Sequence, residues 1–197
     1  MSLQQLYTEL AAVFDGPDPI EAHAKQALLS ADCSDVAKNN GKNTSLLSDP
    51  FLNVMAQTDA HPVCATIAQI PFQWAPPQTS KDALYIQHSL AKVHVELLGP
   101  GGLVTSEQIR IGLYGMLPDA EYGVRTHPAE ELYVMLAGEV LWKRGDDPYL
   151  LHMPGERSHH PSMMEHANKT AAKAFMSIYV WHGDIATENY RYSGLPE

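Results

Sequence analysis

The chain has 197 residues, 45% of them apolar and 18% charged, with 14 Pro and 13 Gly, a balance that excludes a disordered or collagen-like protein and leaves enough length to bury a core. Its 13 Lys and Arg against 23 Asp and Glu give a formal net charge of −10, a field that repels polyphosphate and anionic lipid, so neither nucleic acid nor a membrane is an expected partner. No apolar run approaches the roughly 18 residues that span a bilayer, and the start of the chain lacks the marks of a secretory signal, so the expected location is the cytoplasm.

Leu3, Leu6, Tyr7, Leu10, Val13 and Phe14 recur at helical spacing, and Asp15-Gly16-Pro17 ends the run. A second helix is expected over Ile20 to Ala31, with Asp18 as cap, Pro19 in the first turn and Glu21 closing a capping box. Residues 33 to 60 are mixed and polar, with a short helix expected from Pro50 to Gln57 capped by Asp49. Pro62, Pro71, Pro76 and Pro77 break any period, so Pro62 to Pro77 reads as an irregular connection. Cys33 and Cys64 form no CxxC pair, and two buried free thiols are favoured over a disulfide.

An organisational boundary falls near residue 80, dividing a helical extension, 1–80, from a β-rich unit, 81–197. From about Ala91 short β-rich runs begin: 93–98, 109–114, 131–136, 140–142 and 174–181. Turn signals separate them at 99–102, 118–119, 138, 145–148 and 154–155. Several short strands so separated predict a sandwich or barrel.

Six of the ten histidines, His127, His152, His159, His160, His166 and His182, lie beyond residue 120. The informative segment runs from Tyr122 to Gly138. On one straight strand His127 and Glu131 would stand roughly 13 Å apart, too far to share an ion. A bend at Pro128-Ala129 resolves this: His127 ends one strand, and Glu131 and Tyr133 begin the next, two apart and facing one side. His152, His159, His160 and His182 read as surface or supporting residues beside them.

His127-x3-Glu131-x6-Gly138, followed by Gly155, Pro161 and His166, resembles the cupin superfamily, whose motifs read HxHx3Ex6G and Gx5PxGxxHx3N. Arg125 stands where the first histidine of the HxH pair belongs, Met163 replaces the second glycine, and Asn168 comes two positions early. The runs Arg-Thr-His-Pro-Ala-Glu-Glu-Leu-Tyr-Val-Met-Leu-Ala-Gly-Glu and Ser-His-His-Pro-Ser-Met-Met-Glu-His-Ala look like the cupin-type dimethylsulfoniopropionate lyases, over roughly residues 90 to 185.

The resemblance implies a mainly β protein, a cupin-type antiparallel β-barrel or jelly roll with an N-terminal helical extension that packs on the barrel or on a partner in a homodimer. It implies one divalent transition metal, zinc or iron ahead of manganese or nickel, on His127, Glu131, His166 and Tyr133. The implied substrate is a small zwitterion or carboxylate, and the implied reaction is β-elimination to acrylate and dimethyl sulfide. Tyr133 is the candidate base and Tyr122 the second phenol. Trp181 and Tyr122 are candidate contacts for the substrate, with Arg125 either holding an anionic group or lying on a solvated strand face. A cupin dioxygenase or isomerase using the same pocket, or a non-catalytic ligand-sensing cupin, are the alternatives.

Overall fold

The computed structural model describes residues 2–34, 36 and 45–196. The polar stretch at 35 and 37–44, part of the expected 33–60 connection, lies outside the described residues. Five helices precede the strands: α1 (Leu3–Val13), α2 (Pro19–Ser30), α3 (Asp49–Met55), α4 (Val63–Ile67) and α5 (Ala83–Ser89). The strands are β1 (Lys92–Gly99), β2 (Val104–Thr105), β3 (Ile109–Met116), β4 (Glu121–Thr126), β5 (Glu130–Gly138), β6 (Val140–Arg144), β7 (Leu150–His152), β8 (Arg157–His160), β9 (His166–Lys169), β10 (Phe175–His182) and β11 (Arg191–Gly194).

The strands form two sheets, in the order β2-β1-β3-β10-β5-β8 and β11-β4-β9-β6-β7, antiparallel except for β1 with β2. This is the mainly β jelly roll expected, although hydrogen bonding leaves two separate sheets in place of one closed ring. No described helix is long and apolar enough to cross a membrane.

Strand alternation explains where the core sits. Successive side chains point to opposite faces, and in the six-stranded sheet both faces are covered. Leu132, Val134 and Leu136 of β5, with Ile178 and Val180 of β10, join one apolar cluster with Leu6, Leu10, Ile20, Leu28 and Phe51 of the helices. Tyr133 and Met135, with Tyr179 and Trp181, face the other way into an aromatic cluster with Tyr114, Tyr122 and Trp142. Helices α1 to α4 therefore lie on the outside of the six-stranded sheet, α3 against β10 and β5 and α4 against β5, whereas α5 packs on β4 and β11 of the other sheet. The Tyr7 hydroxyl ties α1 to β1 by donating to the Leu97 carbonyl at 2.7 Å.

Local details correct several expectations. Asp18 takes the N-cap position expected and its carbonyl accepts from the Glu21 N–H, but its side chain makes no capping bond, and the Glu21 carboxylate, instead of closing a box, accepts from the Gly16 N–H and the Arg157 guanidinium. The cap of α3 is Ser48, one residue earlier than expected, and Asp49 lies in the first turn. Pro62 precedes α4 instead of breaking structure, since a missing N–H costs nothing at a helix start. Helix α5 was not anticipated; Asp82 caps it by accepting from the Tyr85 N–H at 2.9 Å. Cys33 and Cys64 are buried free thiols, as expected.

Candidate metal centre and its cavity

The bend anticipated at Pro128-Ala129 carries the chain from one sheet to the other. β4 ends at Thr126 in the five-stranded sheet, and β5 starts at Glu130 in the six-stranded one. His127 thus projects from the corner while Glu131 projects from the facing sheet, and His127 Nε2 lies 3.3 Å from Glu131 Oε2. β9 pairs with β4, setting Arg125 opposite His166, and brings His166 Nε2 to 3.1 Å from the same oxygen. The potential ligand atoms of His127, Glu131 and His166 lie within 4.8 Å of one another, and all three residues are buried.

The protonation pattern tests whether a cation fits. His127 Nδ1 is 3.1 Å from the Ala129 carbonyl and His166 Nδ1 is 2.8 Å from the Met164 carbonyl. A carbonyl only accepts, so each Nδ1 carries a proton and each ring turns its Nε2, the atom free to ligate a metal, toward Glu131. Both Nε2 atoms are buried without a hydrogen-bond partner among the described residues. Burial pushes the His166 pKa well below its usual value, with the Arg125 charge adding to the effect. Burial works to raise the Glu131 pKa, but the imidazoles around it prevail and hold the carboxyl well below its usual range. Two buried Nε2 atoms and a carboxylate oxygen this close together are a donor set that a divalent cation would satisfy at once. The donor set fits a metal ion.

Glu131 is held from two further sides. Trp181 Nε1–H donates to Oε1 at 2.5 Å, and His160 Nδ1 lies 3.3 Å from Oε2. Trp181 also stacks on His127, ring centroids 4.1 Å apart, so one of its two faces is already covered. Tyr133 shares the inward face of β5 with Glu131 and packs 4.5 Å from the Trp142 ring. Burial, then the Glu131 charge, raise the Tyr133 pKa well above its usual value, and Arg125 opposes them.

Arg125 is 2% exposed, which overturns the solvated-strand alternative. Its guanidinium donates to Asn168 Oδ1 at 3.1 Å and lies 4.0 Å from the centre of the Tyr122 ring. Burial opposes its charge, but Tyr133, Tyr122, Tyr190 and Glu131 outweigh it, and the group stays protonated. The Tyr122 hydroxyl meets that of Tyr190 at 2.5 Å. Lys92 Nζ, without a hydrogen-bond partner among the described residues, sits 3.0 Å from the Tyr122 ring centre. Burial, with Arg125 next, pushes Lys92 down to about 5.

A cavity of about 590 Å³ opens onto Tyr122, Arg125, Glu131, Tyr133, Trp181 and Tyr190. All seven residues singled out from the sequence are therefore brought together. His152, His159 and His182 are not: His159 pairs with Glu130, His182 stacks on His23, and His152 bonds the Leu150 carbonyl. Of the four histidines read as surface or supporting residues, His160 alone stands beside Glu131; sequence reasoning missed Tyr190, Tyr114 and Trp142. His160 had a usable signal, being adjacent to motif residue Pro161. Tyr190 had none, since its partner Tyr122 is 68 residues away.

Two motif positions gain a physical reason. Gly138 has φ +72°, and a Cβ there would meet the Ala174 carbonyl. Met163, standing where the motif has glycine, takes φ +63° and donates its N–H to the His127 carbonyl at 2.9 Å.

A family model described as dimethylsulfoniopropionate lyase matches residues 63–176. The chain is 35% identical over 91 residues to dimethylsulfoniopropionate lyase DddQ of Ruegeria pomeroyi, an alignment covering 46% of this chain and 45% of that protein. The match thus spans about half the length of this curated relative. The crystal structure of DMSP lyase DddQ from Ruegeria pomeroyi is similar with a TM-score of 0.69 at 24% identity, covering 96% of this chain and 95% of that one. A structure described under the DMSP lyases RdDddP and RnDddQII is similar with a TM-score of 0.66 at 20% identity, covering 98% and 100%. At these identities the structural likeness bears on the fold alone.

Proposed function

The chain belongs to the dimethylsulfoniopropionate lyase family, and we accordingly propose that it is a metal-dependent carbon–sulfur lyase converting dimethylsulfoniopropionate to dimethyl sulfide and acrylate. The observation that carries this reading is the pair of buried, unpartnered Nε2 atoms turned on Glu131 at the end of a cavity that also holds Tyr133 and Arg125. The sulfur-free donor set suits zinc or iron, ahead of manganese or nickel. An ion held by His127, Glu131, His166 and Tyr133 supplies Lewis acidity toward a substrate carboxylate and a lowered pKa for a bound phenol.

The protein's own groups account for the rest. Arg125 places a fixed positive charge at the carboxylate end of the cavity and favours the anionic form of Tyr133. As tyrosinate, the Tyr133 oxygen takes the α-proton; the C–H electron pair becomes the Cα=Cβ bond, and the Cβ–S bond breaks with its pair left on sulfur. Acrylate and dimethyl sulfide result, and the proton on Tyr133 returns to solvent. Tyr122, fixed by Tyr190 and lined against Arg125, is the second phenol that contacts substrate. A sulfonium accepts no hydrogen bond, so its partners are aromatic faces, each contributing about 0.5 to 2 kcal/mol. The face of Trp181 turned away from His127 is the first of these.

We also assign residues 1–80 to an extension and residues 81–197 to the catalytic unit, a division supported by the aromatic cluster, whose buried members all lie at Tyr85 or beyond. The test of function is direct. Metal-loaded protein incubated with dimethylsulfoniopropionate releases dimethyl sulfide into the headspace well above a chelated control. Release no greater than that control overturns the lyase assignment, and oxygen uptake with small carboxylates in its place marks a dioxygenase.

A further inference from the structure

Glu131 is the centre of the site, and its orientation depends on which neighbours donate to it. Oε1 receives the Trp181 indole N–H. Oε2 faces three imidazoles, at 3.3 Å (His127), 3.3 Å (His160) and 3.1 Å (His166). Two of these turn Nε2 toward it, with Nδ1–H donating to the carbonyls of Ala129 and Met164. His160 is oriented the other way round, with Nδ1 toward the carboxylate and Nε2 2.8 Å from the Ser158 hydroxyl. The carboxylate can only accept, so Nδ1 carries the proton, and Ser158 O–H donates to Nε2 and locks that tautomer.

Strand geometry makes the arrangement rigid. β8 pairs directly with β5, with His160 opposite Glu131 and Ser158 opposite Tyr133. The His160 ring is fully buried and stacks on His166, centroids 4.3 Å apart and planes 10° from parallel. One side chain therefore touches two of the three ligands while standing outside the cluster whose donor atoms lie within 4.8 Å of one another. It does so in a chain where Arg125 occupies the motif position of a histidine.

We propose that His160 is a positioning residue for the metal: through its Nδ1–H it fixes the Glu131 carboxylate, and through its ring face it fixes His166. The inference rests on the metal-binding reading above. Partners of this kind are worth about 10- to 100-fold in metal affinity.

The test measures zinc affinity by competition with a chromophoric chelator, together with the melting temperature of each metal-free protein. His160→Phe keeps a ring of similar size and removes the donor; His160→Asn keeps a side-chain N–H near the place of Nδ1. His160→Phe should bind zinc about 10- to 100-fold more weakly than the parent, and His160→Asn should recover most of that loss, with metal-free melting temperatures that do not follow the affinities. Parent-like zinc affinity in His160→Phe overturns the inference, as does an Asn variant as weak as the Phe variant. Should His160→Phe fail to fold, Ser158→Ala takes its place: loss of the tautomer lock weakens zinc binding, and unchanged binding is a refutation. A parent protein that binds no zinc, iron, manganese or nickel overturns the metal reading and this inference together, a result distinct from a parent that binds and variants that match it.

Discussion

The helices are fastened to the six-stranded sheet by an ion pair whose worth can be worked out. Glu21 of α2, 1% exposed, receives Arg157 Nε and Nη2 of β8, each at 3.1 Å, and the Gly16 N–H at 2.8 Å. Stranding one partner of a fully buried pair costs about 3 to 5 kcal/mol. Here Arg157 keeps 28% exposure and a second carboxylate, Asp15, at 2.5 Å, so the Glu21→Gln substitution should cost less, about 2 kcal/mol. For a chain of this size that corresponds to a fall of roughly 4 to 8 °C in melting temperature. Thermal unfolding of Glu21→Gln, Arg157→Met and the double variant forms a cycle in which the double variant loses less than the sum of the singles, by about 1 to 2 kcal/mol. Strict additivity would show that the two side chains are neighbours without being partners, and would refute the reasoning.

Three further outcomes are expected. Tyr133→Phe removes the phenol oxygen and should reduce dimethyl sulfide release at least about 100-fold while circular dichroism stays unchanged; retained release removes Tyr133 as base. Met163→Gly relieves a left-handed conformation that costs a non-glycine residue about 1 to 2 kcal/mol, partly offset by about 0.4 to 1 kcal/mol of added unfolded-state entropy, so its melting temperature should rise by about 1 to 4 °C; a fall contradicts the strain argument. Burial pushes His94 and His160 down to about 4, below the value near 6.5 that each takes in an unfolded chain. The unfolded state therefore binds the extra protons between these limits, and Lys92, pushed from its usual 10.5 down to about 5, acts with the same sign from alkaline pH downward, so the stability of the metal-free protein should fall as pH falls from 7.5, more steeply below about 6.5. Melting curves at pH 7.5 and pH 5 test this: a higher melting temperature at pH 5 refutes it, and His94→Gln should show a shallower decline.

What the sequence revealed depended on whether local pattern and burial agreed. β1, β3, β5 and β10 were legible because each has one face built of bulky or β-branched apolar residues, such as Val93, Val95 and Leu97 of β1 and Leu132, Val134 and Leu136 of β5. β8 and β9 were not, because the inward positions carry Ser158, His160, His166 and Asn168, polar groups that erase the alternation a strand normally shows. The site thus concealed the strands that build it, while motif spacing exposed His166, the candidate ligand on β9. His127, Glu131 and His166 were readable from spacing that resembles the cupin motifs, Tyr133 from what that resemblance implies, Arg125 and Tyr122 from their place beside His127, and Trp181 as an aromatic on the last β-rich run. Glu21 misled because its nearest orphan N–H was at hand in sequence, whereas Arg157, 136 residues away, was the stronger partner. Tyr190 and Lys92 reach Tyr122 only through the tertiary fold.

The two-sidedness of β5 constrains how this protein can change. Glu131 and Tyr133 point into the cavity, and the intervening Leu132, with Val134 and Leu136, points into the helices. Inserting or deleting a single residue there would exchange the two sets, turning a carboxylate onto the helical core and leucine onto the candidate metal site. Along this strand only changes that preserve parity are open to evolution or to an engineer, so the cavity and the helical coat must be altered as a pair.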